Sequence, residues 1–76
     1  MLTIIKIELP YWELQHRNGK RFTVKGFYSA RGDYIIEPPY GWTDLTYELN
    51  QDFDSLYEEI DNLIYSAMPE LYDRHE

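Results

Sequence analysis

The sequence predicts an α+β fold: an antiparallel sheet of three to four strands with one C-terminal helix packed on one face. Two observations carry this. The first half of the chain holds isoleucine-rich and aromatic runs separated by glycine turns, the pattern of strands and hairpins. Residues 53–67 place Phe53, Leu56, Tyr57, Ile60, Leu63, Ile64 and Ala67 at three- and four-residue spacings, with Asp54, Glu58, Glu59 and Asp61 between them. That is a helix with an apolar stripe and an acidic back. No repeat, linker or low-complexity tract divides the 76 residues, so residues 1–76 are read as a single domain.

The first strand runs over Leu2–Leu9. Pro10 then removes a backbone donor and predicts a bend, a bulge or an edge. Tyr11–His16 continues as a strand. The stretch HRNGK (16–20) admits two hairpin registers. A two-residue Asn18-Gly19 turn pairs Trp12 with Lys25. A three-residue Arg17-Asn18-Gly19 loop, with Gly19 left-handed, pairs Trp12 with Val24 and Leu14 with Phe22. The second sets apolar beside apolar, and a one-residue slip would turn every side chain over, so it is the expected register.

SARGDY (29–34) repeats the device around Gly32, pairing Tyr28 with Tyr34, Phe27 with Ile35 and Lys25 with Glu37. One face of the sheet then collects Trp12, Leu14, Phe22, Val24, Tyr28, Tyr34 and Ile36. The prolines of EPPYGW (37–42) end the strand. In WTDLTYELN, Leu45, Tyr47 and Leu49 alternate with polar residues, which predicts a short half-buried strand. Asn50 or Asp52 is placed to cap the C-terminal helix. Pro69 stops it near Ala67, and PELYDRHE follows as one further turn. Tyr40, Tyr65 and Tyr72 find no place in this core.

Length and charge narrow the functional classes. A domain this small buries only about 60% of the surface its unfolded chain exposes, which leaves little apolar material for a deep cleft. There is no cysteine, hence no disulfide framework or thiolate metal site. The opening MLTIIKIELP is too short to span a bilayer and lacks the features of a signal peptide, so a cytoplasmic protein is expected. Net charge is −7. Residues 1–32 carry six basic side chains against two acidic, net +4; residues 33–76 carry one against twelve, net −11. Such asymmetry concerns partners rather than fold.

Motifs for chemistry are sparse. His16 and His75 have no partner at metal-ligand spacing and are read as exposed and idle. DFDSLYEEIDNL begins like a calcium loop, but Leu56, Tyr57 and Leu63 stand where a ligand, a glycine and the closing glutamate belong. Ser29, Ser55 and Ser66 lack a neighbouring histidine or a nucleophile elbow. Arg31-Gly32-Asp33 matches the integrin-binding triplet, yet it is also what a glycine turn requires. PPYG (38–41) reads as a stiff connector. The expected protein is non-enzymatic, with no cofactor and no metal.

Two constellations remain. Arg17, Lys20, Arg21, Lys25 and Arg31 decorate a hairpin, and YWELQHRNGKRFTVKGFYS resembles the arm-binding domain of tyrosine recombinases. That resemblance covers one hairpin and implies a nucleic-acid-binding accessory domain acting through residues 16–31. The acidic half offers the other. Asp54, Glu58 and Asp61 share a helical stripe with rises of about 6 and 4.5 Å, comparable to the spacing of phosphates along one DNA strand. Asp52 and Glu59 flank it, Asp44 and Glu48 join from the preceding segment, and Tyr65 adds an aromatic contact.

Small, acidic, cysteine-free, tyrosine-rich sheet-plus-helix chains resemble phage-encoded inhibitors of bacterial defence, the anti-CRISPR and anti-restriction proteins. The resemblance rests on size, charge and shape across the whole chain, without a diagnostic motif. It implies a phage protein in the cytoplasm of a bacterial host. Such a protein binds and inhibits a nucleic-acid-handling complex, partly as a DNA mimic, without binding nucleic acid itself. An antitoxin-like partner of a basic toxin predicts the same acidic surface.

Overall fold

The computed structural model describes residues 1–72. Four strands, β1 (Leu2–Glu8), β2 (Tyr11–His16), β3 (Arg21–Tyr28) and β4 (Tyr34–Glu37), form one antiparallel sheet in the order β1-β2-β3-β4. Two helices, α1 (Trp42–Leu49) and α2 (Phe53–Ala67), and a 3-10 turn (Pro69–Leu71) follow. His75 lies outside the described residues.

Both glycine hairpins take the expected registers. Trp12 faces Val24 and Leu14 faces Phe22, with Gly19 at φ 98°. Tyr28 faces Tyr34 and Lys25 faces Glu37, with Gly32 at φ 93°. The β1–β2 connection turns at Leu9-Pro10, whose peptide bond is cis. A bulge between Ile4 and Lys6 shifts the β1–β2 register by one residue.

The inner face of the sheet contributes Leu2, Trp12, Leu14, Val24 and Ile36 to the core. The helices complete it with Trp42, Leu45, Leu49, Leu56, Ile60 and Ile64. α2 spans the sheet from side to side. Its Glu59 accepts the Leu2 N–H of the first strand at 3.0 Å, and its Tyr57 hydroxyl donates to the Ile36 carbonyl of the last at 2.7 Å.

Four expectations are corrected. Residues 45–49 are helical, so two helices cover the sheet where one was expected. Trp42, Leu45 and Leu49 are buried at helical spacing, while Tyr47 is 89% exposed, which no half-buried strand would allow. Asn50 ends α1 in the left-handed conformation at φ 56°, with Asn50 N–H to the Tyr47 carbonyl and Gln51 N–H to the Thr46 carbonyl. Those two bonds are a Schellman close.

Asp52 does precede α2, but its side chain makes no capping bond. His16 is buried, at 8% exposure, and its Nδ1 accepts the Asn18 N–H at 3.1 Å. Tyr72 packs half-buried against the core and donates to the Asp61 carboxylate at 2.8 Å.

Candidate acidic and aromatic binding surface

Between Trp42 and Leu71 the chain carries eight acidic side chains and no lysine or arginine. The structure sorts seven of them into two groups, and the eighth, Glu70, is exposed in the 3-10 turn. Glu48, Glu59 and Asp61 are used by the fold. Glu48 pairs with Lys20 of the β2–β3 loop at 3.2 Å. Glu59 accepts from the Leu2 N–H and from Gln51 Nε2 at 3.1 Å, with the chain's amino terminus 3.9 Å away. Asp61 accepts the Tyr72 hydroxyl. These last two stand at opposite borders of the outer face of α2, where a carboxylate can reach the sheet edge on one side and the tyrosine cluster on the other.

The second group is exposed: Asp44 on α1, Asp52 at the junction, and Asp54 and Glu58 on α2. Their side chains make no hydrogen bond or ion pair among the described residues. The expected three-carboxylate stripe therefore offers two free members, Asp54 and Glu58. Tyr65, eleven residues beyond Asp54, lies on the same stripe at 45% exposure, its ring edge-to-face with Tyr72 at 5.2 Å.

Sequence reasoning singled out Tyr40 and Tyr65 but missed Tyr47 and Phe53. Tyr47 projects from the outer side of α1, and Tyr40 is fully exposed on the β4–α1 connection. Tyr47, Asn50 and Asp52 line a hollow at the α1–α2 junction. Tyr40, Asp44 and Glu48 line a second hollow facing Lys20 and Arg21. Phe53 adds a half-exposed ring that stacks on Tyr57 at 6.3 Å. A helical reading of residues 42–49 is the signal that exposes Tyr47, because it sets that ring opposite Trp42, Leu45 and Leu49. Glu58 stands on the rim of an open groove of about 570 Å³ between the start of β1 and α2.

Lys20 is committed to Glu48, Lys25 faces Glu37 across the strands, and Arg31 lies in the turn at the far end of β3. Tyr57 and Tyr72 both hold their hydroxyl protons more tightly than a free tyrosine. Burial is the largest cause for each, with the nearby Asp61 carboxylate acting in the same direction. Among the described residues no cluster of three or more histidine, aspartate or glutamate side chains is arranged to hold a metal ion. No described helix is long and apolar enough to cross a membrane.

No protein-family model, curated protein or solved structure matches this chain.

Proposed function

We propose that this chain is a non-enzymatic binding protein that presents the outer surface of α1 and α2 to the basic face of a nucleic-acid-handling protein. An inhibitor of bacterial defence would work this way. The observation that carries the reading is the group of four unpartnered carboxylates, Asp44, Asp52, Asp54 and Glu58, with exposed Tyr47 and Tyr65 on the same two helices and exposed Tyr40 on the connection before them. Carboxylates supply long-range attraction to a cationic groove and speed encounter. Tyrosines supply contact area with little entropy lost on ordering. Mimicry of nucleic acid on this surface is partial, since free carboxylates alternate with rings. An antitoxin-like role would use the same surface against a basic toxin.

The test compares wild type with the Asp44→Asn, Asp52→Asn, Asp54→Asn, Glu58→Gln variant in capture from bacterial lysate. Wild type should retain basic nucleic-acid-binding proteins and release them to competing duplex DNA. The variant should retain few of them while keeping its fold. A variant that captures the same set sinks the reading. So does wild type that itself shifts DNA at micromolar concentration with steep salt dependence, the mark of phosphate contacts from the basic hairpin.

A further inference from the structure

β1 is an edge strand, and its second half is uncovered. On β2, the Arg17 N–H bonds back to the Met1 carbonyl, whereas the His16 N–H goes to Lys20 and the Pro10 carbonyl takes the Gly26 N–H. Backbone groups alternate sides along a strand, so odd residues of β2 serve β1 and even ones serve β3. Lys6 and Glu8 pair with Glu13 and Tyr11, which commits their backbone groups to β2. Ile7, between them, turns its N–H and C=O to the open side. At the start of the strand Glu59 covers the Leu2 N–H. Farther along, Ile5, Ile7 and Leu9 are 39%, 43% and 51% exposed.

The segment Ile5-Lys6-Ile7-Glu8-Leu9 is complementary to itself when reversed. We propose that the open edge of β1 pairs antiparallel with the same edge of a second copy, about a two-fold axis at Ile7. Ile7 then exchanges both backbone hydrogen bonds with its symmetry mate. Ile7 is the apolar pair on the axis, with Ile5 in the bulge on one flank and Leu9 in the turn on the other. On the other side Lys6 faces Glu8 of the copy, twice. In the single chain Lys6 and Glu8 already lie on one face, 3.5 Å apart.

The paired stretch has a built-in length, because the strand is bulged between Ile4 and Lys6 at one end and turns into β2 at Leu9-Pro10 at the other. The opposite edge cannot propagate the assembly. β4 has four residues and runs into Pro38 and Pro39. One open edge used isologously gives a closed dimer and not a fibre. Edge strands commonly carry lysines and bulges that repel a partner. Here the bulge at Ile5 bounds the paired residues Lys6–Glu8, and in this alignment the lysine meets a glutamate.

Sedimentation equilibrium of the full chain should give twice the 9.2 kDa chain mass, falling to one chain on dilution. Lys6→Glu alone and Glu8→Lys alone each set like charges against one another and should both run as folded monomers. Mixing these two variants should restore a dimer, since each acid again faces a lysine across the axis. The mixture leaves the pairing inside each chain unrestored, which separates interface from fold. Ile7→Lys, with an unchanged circular dichroism spectrum, should be monomeric. Wild type that remains monomeric into the millimolar range overturns the proposal. A mixture that stays monomeric, or an Ile7→Lys dimer, would place any self-association elsewhere and overturn it equally.

Discussion

Gly26 is a glycine because of Tyr34. It lies within β3 opposite Ile36, and no left-handed backbone explains it. A Cβ built there would fall on the hydroxyl end of the Tyr34 side chain, with Cε2 also only 2.8 Å away. Tyr34 has little room to retreat. Its ring is held edge-to-face by Tyr28 at 5.1 Å and by Tyr72 at 5.3 Å. Its hydroxyl accepts the indole N–H of Trp12 at 3.2 Å, and Trp12 is 0% exposed. Gly26→Ala therefore has two costs. Overpacking typically costs about 1–3 kcal/mol. Orphaning the buried indole donor adds about 1–3 kcal/mol.

The expected loss is about 2–6 kcal/mol, against roughly 4–11 kcal/mol for a whole domain of this length. In a thermal melt it amounts to about 10 °C or more. Denaturant unfolding followed by circular dichroism and tryptophan fluorescence measures it. In a Tyr34→Leu background the ring is gone and the indole donor is already unpartnered. The added alanine should then cost under about 1 kcal/mol. A Gly26→Ala variant within about 0.5 kcal/mol of wild type, or an equal cost in both backgrounds, refutes the packing argument.

Ile60, at the centre of the buried α2 stripe between Leu56 and Ile64, should cost about 2–5 kcal/mol on truncation to alanine; an unmoved unfolding midpoint would mean α2 does not pack as described. Stability should also fall in alkali. Tyr72 titrates near 10.0 when unfolded and higher when folded, so above that pH the unfolded chain releases a proton that the folded chain keeps. Below pH 10.0 the residue contributes its full stability, and Tyr72→Phe should flatten the decline seen above it in melts across pH 9–11. An equally steep decline in the variant would assign the effect to other groups.

The sheet was legible because turn chemistry and side-chain pattern agreed. Only the three-residue loop at Arg17-Asn18-Gly19 put Trp12 beside Val24, and Gly32 fixed the next hairpin the same way. The residues of α1 satisfied two periods at once. Leu45, Tyr47 and Leu49 alternate, while Trp42, Leu45 and Leu49 follow a helix; the buried tryptophan and the αL Asn50 decide for the helix. Asn50 was legible as a cap but attached to the wrong helix. Nothing in the spacing of Glu59 or Asp61 shows their partners, because Leu2 is 57 residues from Glu59 and Tyr72 is 11 from Asp61. Those bonds exist only once helix and sheet have met.

The acidic helix without a balancing cation is thus three situations rather than one. Glu59 and Asp61 are met by N–H and O–H donors, and Glu59 also by the chain's amino terminus at 3.9 Å, so neither needs a lysine. Asp44 sits in the first turn of α1, and Asp52 and Asp54 stand at the start of α2, where the helix macrodipole favours negative charge by about 0.3–1 kcal/mol each. Glu58 has neither reason. It lies mid-helix, exposed, four residues from Asp54, where like charges oppose helix formation by a few tenths of a kcal/mol. Its charge is the least explained by the fold, and Asp54 and Tyr65 share its stripe. A contact surface for a cationic partner is the arrangement in which that small cost has a use.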